Sequence, residues 1–191
     1  EEYSFSLMRR VVVGELDCAI VPAGEVLSGL TAAYLATDRE VLVGGLGLLP
    51  GSPHLSPVGP RALSGAKLIM PSPRNVRRRW LDTYFDAHNV EIADVLEMDA
   101  MLATLQSVVG TDWCAVLPSV LCHADLAGTE RKLHPLEGPG ISTDYIVVQK
   151  ADKALTRAAD LLVTDLRNEI ARVLEDWAEA ARAVTPPSGA A

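Results

Sequence analysis

Apolar positions along the chain alternate between helical spacing and short unbroken runs. Residues 6–13 carry Leu7, Met8, Val11 and Val12 on one helical face and end at Gly14, a helix-stop signal. Residues 17–22 form an apolar run closed by Pro22, the length of a buried strand. Residues 24–36 have no clear period and read as a loop with a short helix. A strand over 39–49 runs into the Pro/Gly/Ser-rich loop 50–60, and residues 66–70 form another short strand before Pro71. Val76, Trp80, Leu81, Tyr84 and Phe85 predict a helix over 75–88. A strand over 92–97 follows. Asp99 is placed as the N-cap of a helix bearing Met101, Leu102, Leu105 and Val108 or Val109, closed by Gly110. Residues 113–117 predict a strand stopped by Pro118, residues 125–140 a loop, and 141–149 a strand. The longest helix covers 155–183, and 185–191 is a frayed tail. Strands alternating with helices predict a parallel α/β architecture with sheets covered on both faces.

Composition narrows the function classes. The chain has 191 residues, with 17 Lys and Arg against 25 Asp and Glu, for a formal charge of −8. A net negative surface is repelled by phosphate backbones and anionic lipid, so this stretch is not expected to touch nucleic acid itself. Aromatic residues are 5%, too few for a base-stacking platform. No apolar run approaches the ~20 residues of a membrane span. The opening Glu1-Glu2-Tyr3-Ser4 has neither the basic nor the apolar region of a secretory leader. Cys18, Cys114 and Cys122 are odd in number and lie among apolar residues, which predicts buried thiols and a cytoplasmic setting.

The ordered motifs resemble one family. Ser4-x-x-Leu7 followed by Gly14-Glu15-Leu16-Asp17-x-Ala19-Ile20, then Glu40-x-Leu42-Val43, Leu63-Ser64-Gly65-Ala66-Lys67-Leu68-Ile69, and Glu97 with the run from Val108 to Pro118 are similar to the effector-binding domain of LysR-type transcriptional regulators. Asp112-Trp113 departs from the family's usual Gly and aliphatic residue. The resemblance implies an α/β, two-lobed fold of the type II periplasmic-binding-protein kind, with three-layer αβα lobes joined by two crossover strands. Lobe one would be 1–43 plus 144–184, lobe two 44–143, and 185–191 a disordered tail. It implies a small, anionic effector in the interlobe cleft, no cofactor, and a homodimer or tetramer to which the 76–85 helix contributes. DNA would be reached only through an N-terminal helix-turn-helix, expected, like the domain's opening strand and helix, to lie outside this sequence. Two other readings compete: a solute-binding protein of the same fold, and an enzyme built on it.

Effector contacts are expected at Ser4, Phe5, Pro22, Ser72, Pro73, Arg74 and Met98. Ser4 stands where the family carries a cleft-facing hydroxyl, and a hydroxyl beside helix-start N–H groups suits an anion. The plainer role for Ser4 is a helix N-cap. The segment Pro71 to Asn75 ends a strand and opens a helix, the kind of junction where α/β sheets bind ligands. Its plainer role is a rigid turn. Met98, Asp99 and Met101 also follow a strand, although Met101 suits the core, and Pro22 suits a turn. Arg74, Arg77, Arg78 and Arg79 read as a solvated helix face neutralised by Asp82 and Asp86, with Arg74 the one placed to meet an anion. Cys122, His123 and Asp125 lack a second ligand pair at metal spacing. No nucleophile elbow, P-loop or dinucleotide fingerprint occurs, so no catalytic residue, cofactor or metal is expected.

Overall fold

A computed structural model describes residues 3–138 and 140–184; the expected tail over 185–191 lies outside the described residues. The packing separates two units. The first takes the chain up to Asp38 and Ser142–Leu174, and the second takes Arg39–Ile141 with the end of the last helix from Glu175.

In the first unit, α1 (Ser4–Val13) buries Met8 and Val11 and ends at Gly14. Gly14 has φ +83°, a left-handed conformation that glycine adopts without strain, and it donates to Arg10 O and Val11 O. Strand β1 (Cys18–Pro22) pairs antiparallel with β7 (Ser142–Lys150), whose other neighbour is β2 (Leu30–Gly45). Met8, Val11, Ala19, Val21 and Val148 form one core cluster. Leu35, Val147 and Val163 of α4 (Arg157–Val184) form another.

The second unit is built around β5 (Trp113–Pro118). β5 is parallel to β3 (Lys67–Met70), which is parallel to β4 (Asp94–Glu97); the far end of β2 is antiparallel to β5 and to β6 (Arg131–Pro135). Helices α2 (Val76–Ala87) and α3 (Met101–Ser107) make the β3–α2–β4 and β4–α3–β5 crossovers, which is why parallel pairing is confined to these strands. The core holds Leu42, Leu63, Leu68, Met70, Leu81, Tyr84, Phe85, Cys114 and Val116. Trp177 and Asp176 explain why the end of α4 belongs here. The Trp177 indole donates to Ser119 O at 2.8 Å, and His123 Nε2 meets Asp176 Oδ2 at 2.7 Å.

Several expectations are corrected. The pairing of β1 with β7 is antiparallel, not parallel: the two strands lie more than a hundred residues apart and are not joined as a βαβ unit. Residues 24–36 hold no helix: β2 begins at Leu30, and its mostly exposed first half carries too weak an alternation to read as a strand. The supposed loop over 125–140 contains β6, whose Arg131 and His134 hide its apolar pattern because both are buried polar residues. All four residues of β4 are exposed, so that strand is an edge and not a covered one. Helix α2 turns Leu81, Tyr84 and Phe85 to the core, leaves Val76 and Trp80 half-buried, and exposes Arg79, Thr83, Asp86 and Ala87.

Arg77 is the largest departure from a solvated face. It is buried, with Nη2 2.6 Å and Nε 3.2 Å from the two carboxylate oxygens of buried Glu40, and Nη2 also donates to Val116 O at 3.0 Å. His134 is fully buried; Nδ1 faces Ser56 O at 2.9 Å, and Nε2 has no partner. Burial first, then the positive charge of Lys132 and neighbouring His54, hold the His134 imidazole below its ordinary range.

Two outcomes follow. Glu40→Ala leaves Arg77 buried and uncompensated, and urea unfolding is expected to show a loss of about 3–5 kcal/mol, with Glu40→Met plus Arg77→Met recovering most of it. His134 folds best as the neutral form, so its contribution is full above pH about 6.5 and is lost as pH falls below that value. The denaturation midpoint should therefore drop on acidification in the wild type and drop less in His134→Asn.

Candidate functional site

The β3–α2 junction of the second unit gathers most of the polar groups expected to bind a ligand. Strand β3 ends at Met70, Pro71 is buried, and Asn75 caps α2 by accepting the Arg77 N–H at 3.0 Å. Pro71 and Pro73 have no N–H, so Ser72 supplies the donor between them. That N–H goes to Asp99 Oδ1 at 3.1 Å, and Asn75 Nδ2 lies 3.5 Å from the same oxygen. The Ser72 hydroxyl oxygen is buried and has no hydrogen-bond partner. Pro73 and Arg74 are exposed. Arg78 is held away from the turn's open side: it pairs with Asp82 at 2.9 and 3.1 Å and donates to Pro71 O at 3.1 Å. The pairing with Asp82 matches the sequence reading; Arg77 does not.

Behind the turn lies a small cavity of about 10 Å³, lined among others by Pro71, Arg77, Met98, Asp99, Met101 and Thr104. It holds one water-sized volume at most. Met98 reaches it, and its N–H is tied to Met70 O at 2.8 Å. Met101 also lines the cavity. The N-cap position of α3 is Ala100, one residue after Asp99, and Asp99 Oδ1 accepts from Ser72 N–H. An Asp one residue early is indistinguishable from a cap by pattern alone, so its partnership with Ser72 was not legible.

In the first unit, Ser4 is the first residue of α1 and half-buried; Tyr3, not Ser4, is the N-cap, without a side-chain bond. Phe5 is 59% exposed and, with Arg9, Val12, Val13, Leu27 and Ser28, lines a shallow concavity of about 380 Å³. Pro22 closes β1 opposite Tyr145.

Other reactive groups are committed to structure. Cys122 and Cys114 are buried, and burial pushes the Cys114 thiol up to about 12. The half-buried Cys18 thiol is also raised, by burial and then by Asp17. His123 pairs with Asp176 and Asp125 with Arg131 at 2.6 Å, so the 122–125 cluster does not converge. Among the described residues no group of three or more His, Cys, Asp or Glu can hold a metal, and no helix is long and apolar enough to cross a membrane.

Comparison with known proteins decides the family. The model of the LysR substrate binding domain matches residues 1–171. The chain belongs to the LysR substrate-binding domain family. The fold of that family is the type II periplasmic-binding-protein kind, as the motifs implied. Solved LysR-family structures share the fold. The regulatory domain of CcmR from Synechocystis PCC6803, in complex with 2-PG, is 19% identical with TM-score 0.68, covering 87% of this chain and 79% of that one. A cysteine mutant of OxyR from Corynebacterium glutamicum is 11% identical with TM-score 0.73, covering all of this chain and 58% of that one. The regulatory domain of MetR from N. meningitidis is 14% identical with TM-score 0.62, covering 84% and 73%. No curated protein matches the sequence. The LysR-domain chain thus spans most of its relatives' regulatory domains and little more than half of the longer OxyR chain.

The thiols of this LysR domain should behave as packing residues. With a disulfide reagent at pH 7, Cys114 and Cys122 are expected to stay unmodified in the native protein and to react after unfolding in denaturant. Labelling of Cys114 at the rate of an exposed thiol would contradict the burial described.

Proposed function

We propose that the chain is the effector-sensing part of a LysR-type DNA-binding transcriptional regulator, and that the β3–α2 turn binds a small anionic metabolite without transforming it. Ser72, Pro73 and Arg74, with Met98 alongside, are the contacts on the second unit. Ser4, Phe5 and Pro22 are the contacts proposed on the first. The reading is carried by the Ser72 hydroxyl, buried and unpartnered at the carboxyl end of a parallel strand. Such a group costs about 1–3 kcal/mol if nothing ever satisfies it, and a bound ligand oxygen supplies the missing partner. Strand ends of this kind are the usual ligand position in α/β sheets. Exposed Arg74 adds the positive charge that favours an anion.

Catalysis finds no support here. The strongest charged pair near the turn, Arg77 with Glu40, is buried and mutually satisfied; Ser56 Oγ lies 3.3 Å from His134 Nδ1, but that imidazole is fully buried and also faces Ser56 O. One OxyR neighbour is H2O2-bound; in this chain Cys114 and Cys122 are buried and burial raises the Cys114 thiol, which does not favour thiolate chemistry. DNA contact through a helix-turn-helix outside this sequence, assembly as a homodimer or tetramer, and a cytoplasmic location complete the proposal.

The test is a thermal-shift screen of small carboxylates and phosphate esters, followed by calorimetric titration of each stabilising compound. Ser72→Ala is expected to weaken binding about tenfold, the value of one hydrogen bond to a charged group, and Ser4→Ala to weaken it as well. Unchanged affinity in both variants, or turnover of a bound compound, contradicts the reading.

A further inference from the structure

The β3–α2 turn already holds an anion, and the anion is the chain's own. The first turn of α2 contains no acidic residue, so the positive end of the helix is not neutralised from within. Asp99 reaches back from the β4–α3 connection instead. Its Oδ1 accepts from Ser72 N–H at 3.1 Å, with Asn75 Nδ2 at 3.5 Å. Asp99 is exposed, one residue before Ala100, the N-cap residue of α3. Beside this contact, Ser72 Oγ remains wholly buried and unpartnered. Asp99 therefore satisfies the Ser72 amide and leaves the Ser72 hydroxyl unsatisfied.

We infer that Asp99 is a built-in competitor for the effector's anionic group, an inference that rests on the turn being the effector contact. A carboxylate, sulfate or phosphate oxygen arriving at Ser72 meets the Asp99 charge. It binds well only when Asp99 leaves, and it then gains both the amide and the hydroxyl. Occupancy of the turn is thereby coupled to the connection that carries Met98 to Met101, whose Met98 N–H is tied to the end of β3. This gives the domain a local device by which binding alters structure: the ligand prefers the arrangement with Asp99 displaced, and only that difference in affinity can shift the equilibrium.

The probe is sulfate, titrated calorimetrically into the full chain at constant ionic strength with chloride as the balancing salt. Asp99→Ala is expected to bind sulfate up to about tenfold more tightly than wild type, the upper range for one charge at a helix N-terminus. Asp99→Asn removes the charge but keeps an acceptor for Ser72, and should fall between them; it serves if the alanine variant is poorly folded. Ser72→Ala added to Asp99→Ala should abolish the gain. Equal sulfate affinity in wild type and both Asp99 variants, including no detectable binding in any, overturns the competitor. A gain that survives Ser72→Ala overturns the placement at this turn, and with it the effector contact itself.

Discussion

The arrangement of the second unit hangs on one buried ion pair. Glu40 sits where β2 enters that unit, Arg77 lies in the first turn of α2, and the guanidinium also takes Val116 O of β5. Three elements meet at one planar group with fixed donor directions. A buried pair of this kind adds little stability over a well-packed apolar substitute. Its effect is positional: α2 starts at a set height above β3, and Asn75, Pro73 and Ser72 follow from that. The turn presents a hydroxyl and an amide because the helix behind it cannot slide.

Much of this was readable before the structure. The periods that predict α1, α2 and α4, the strands at 66–70, 113–117 and 141–149, and the Asn75 helix start all rest on local rules, and the ordered motifs pointed to the right family. What escaped was set by contacts distant in sequence. Arg77 stood among three other arginines, and nothing local separates the one that meets Glu40 on another strand from those in solvent. Strand β6 carries a buried arginine and a buried histidine, so its pattern reads as polar. Asp99 looked like a cap because capping residues and residues that reach across a turn share the same chemistry. Ser72 was legible as a candidate; that its hydroxyl lacks a partner was not.

The chemistry of the domain is that of a receptor. Its cysteines are packed away, its histidines serve the backbone or single carboxylates, and its central charges neutralise one another. Among the described residues Tyr84 Oη, His134 Nε2, Thr143 Oγ1 and Ser72 Oγ are buried without a partner, and of these Ser72 lies at a strand end, near an exposed arginine and an aspartate from a neighbouring connection. Membership of the LysR substrate-binding family is consistent with the proposed use of that set in binding.

The most direct measurement is amide NMR of the isotopically labelled chain during a sulfate titration. The account predicts that the Ser72 and Asn75 resonances move together with those of residues 98–101, saturating at a single midpoint. Shifts that spare Ser72, or that collect around the α1 concavity beside Phe5, would contradict it.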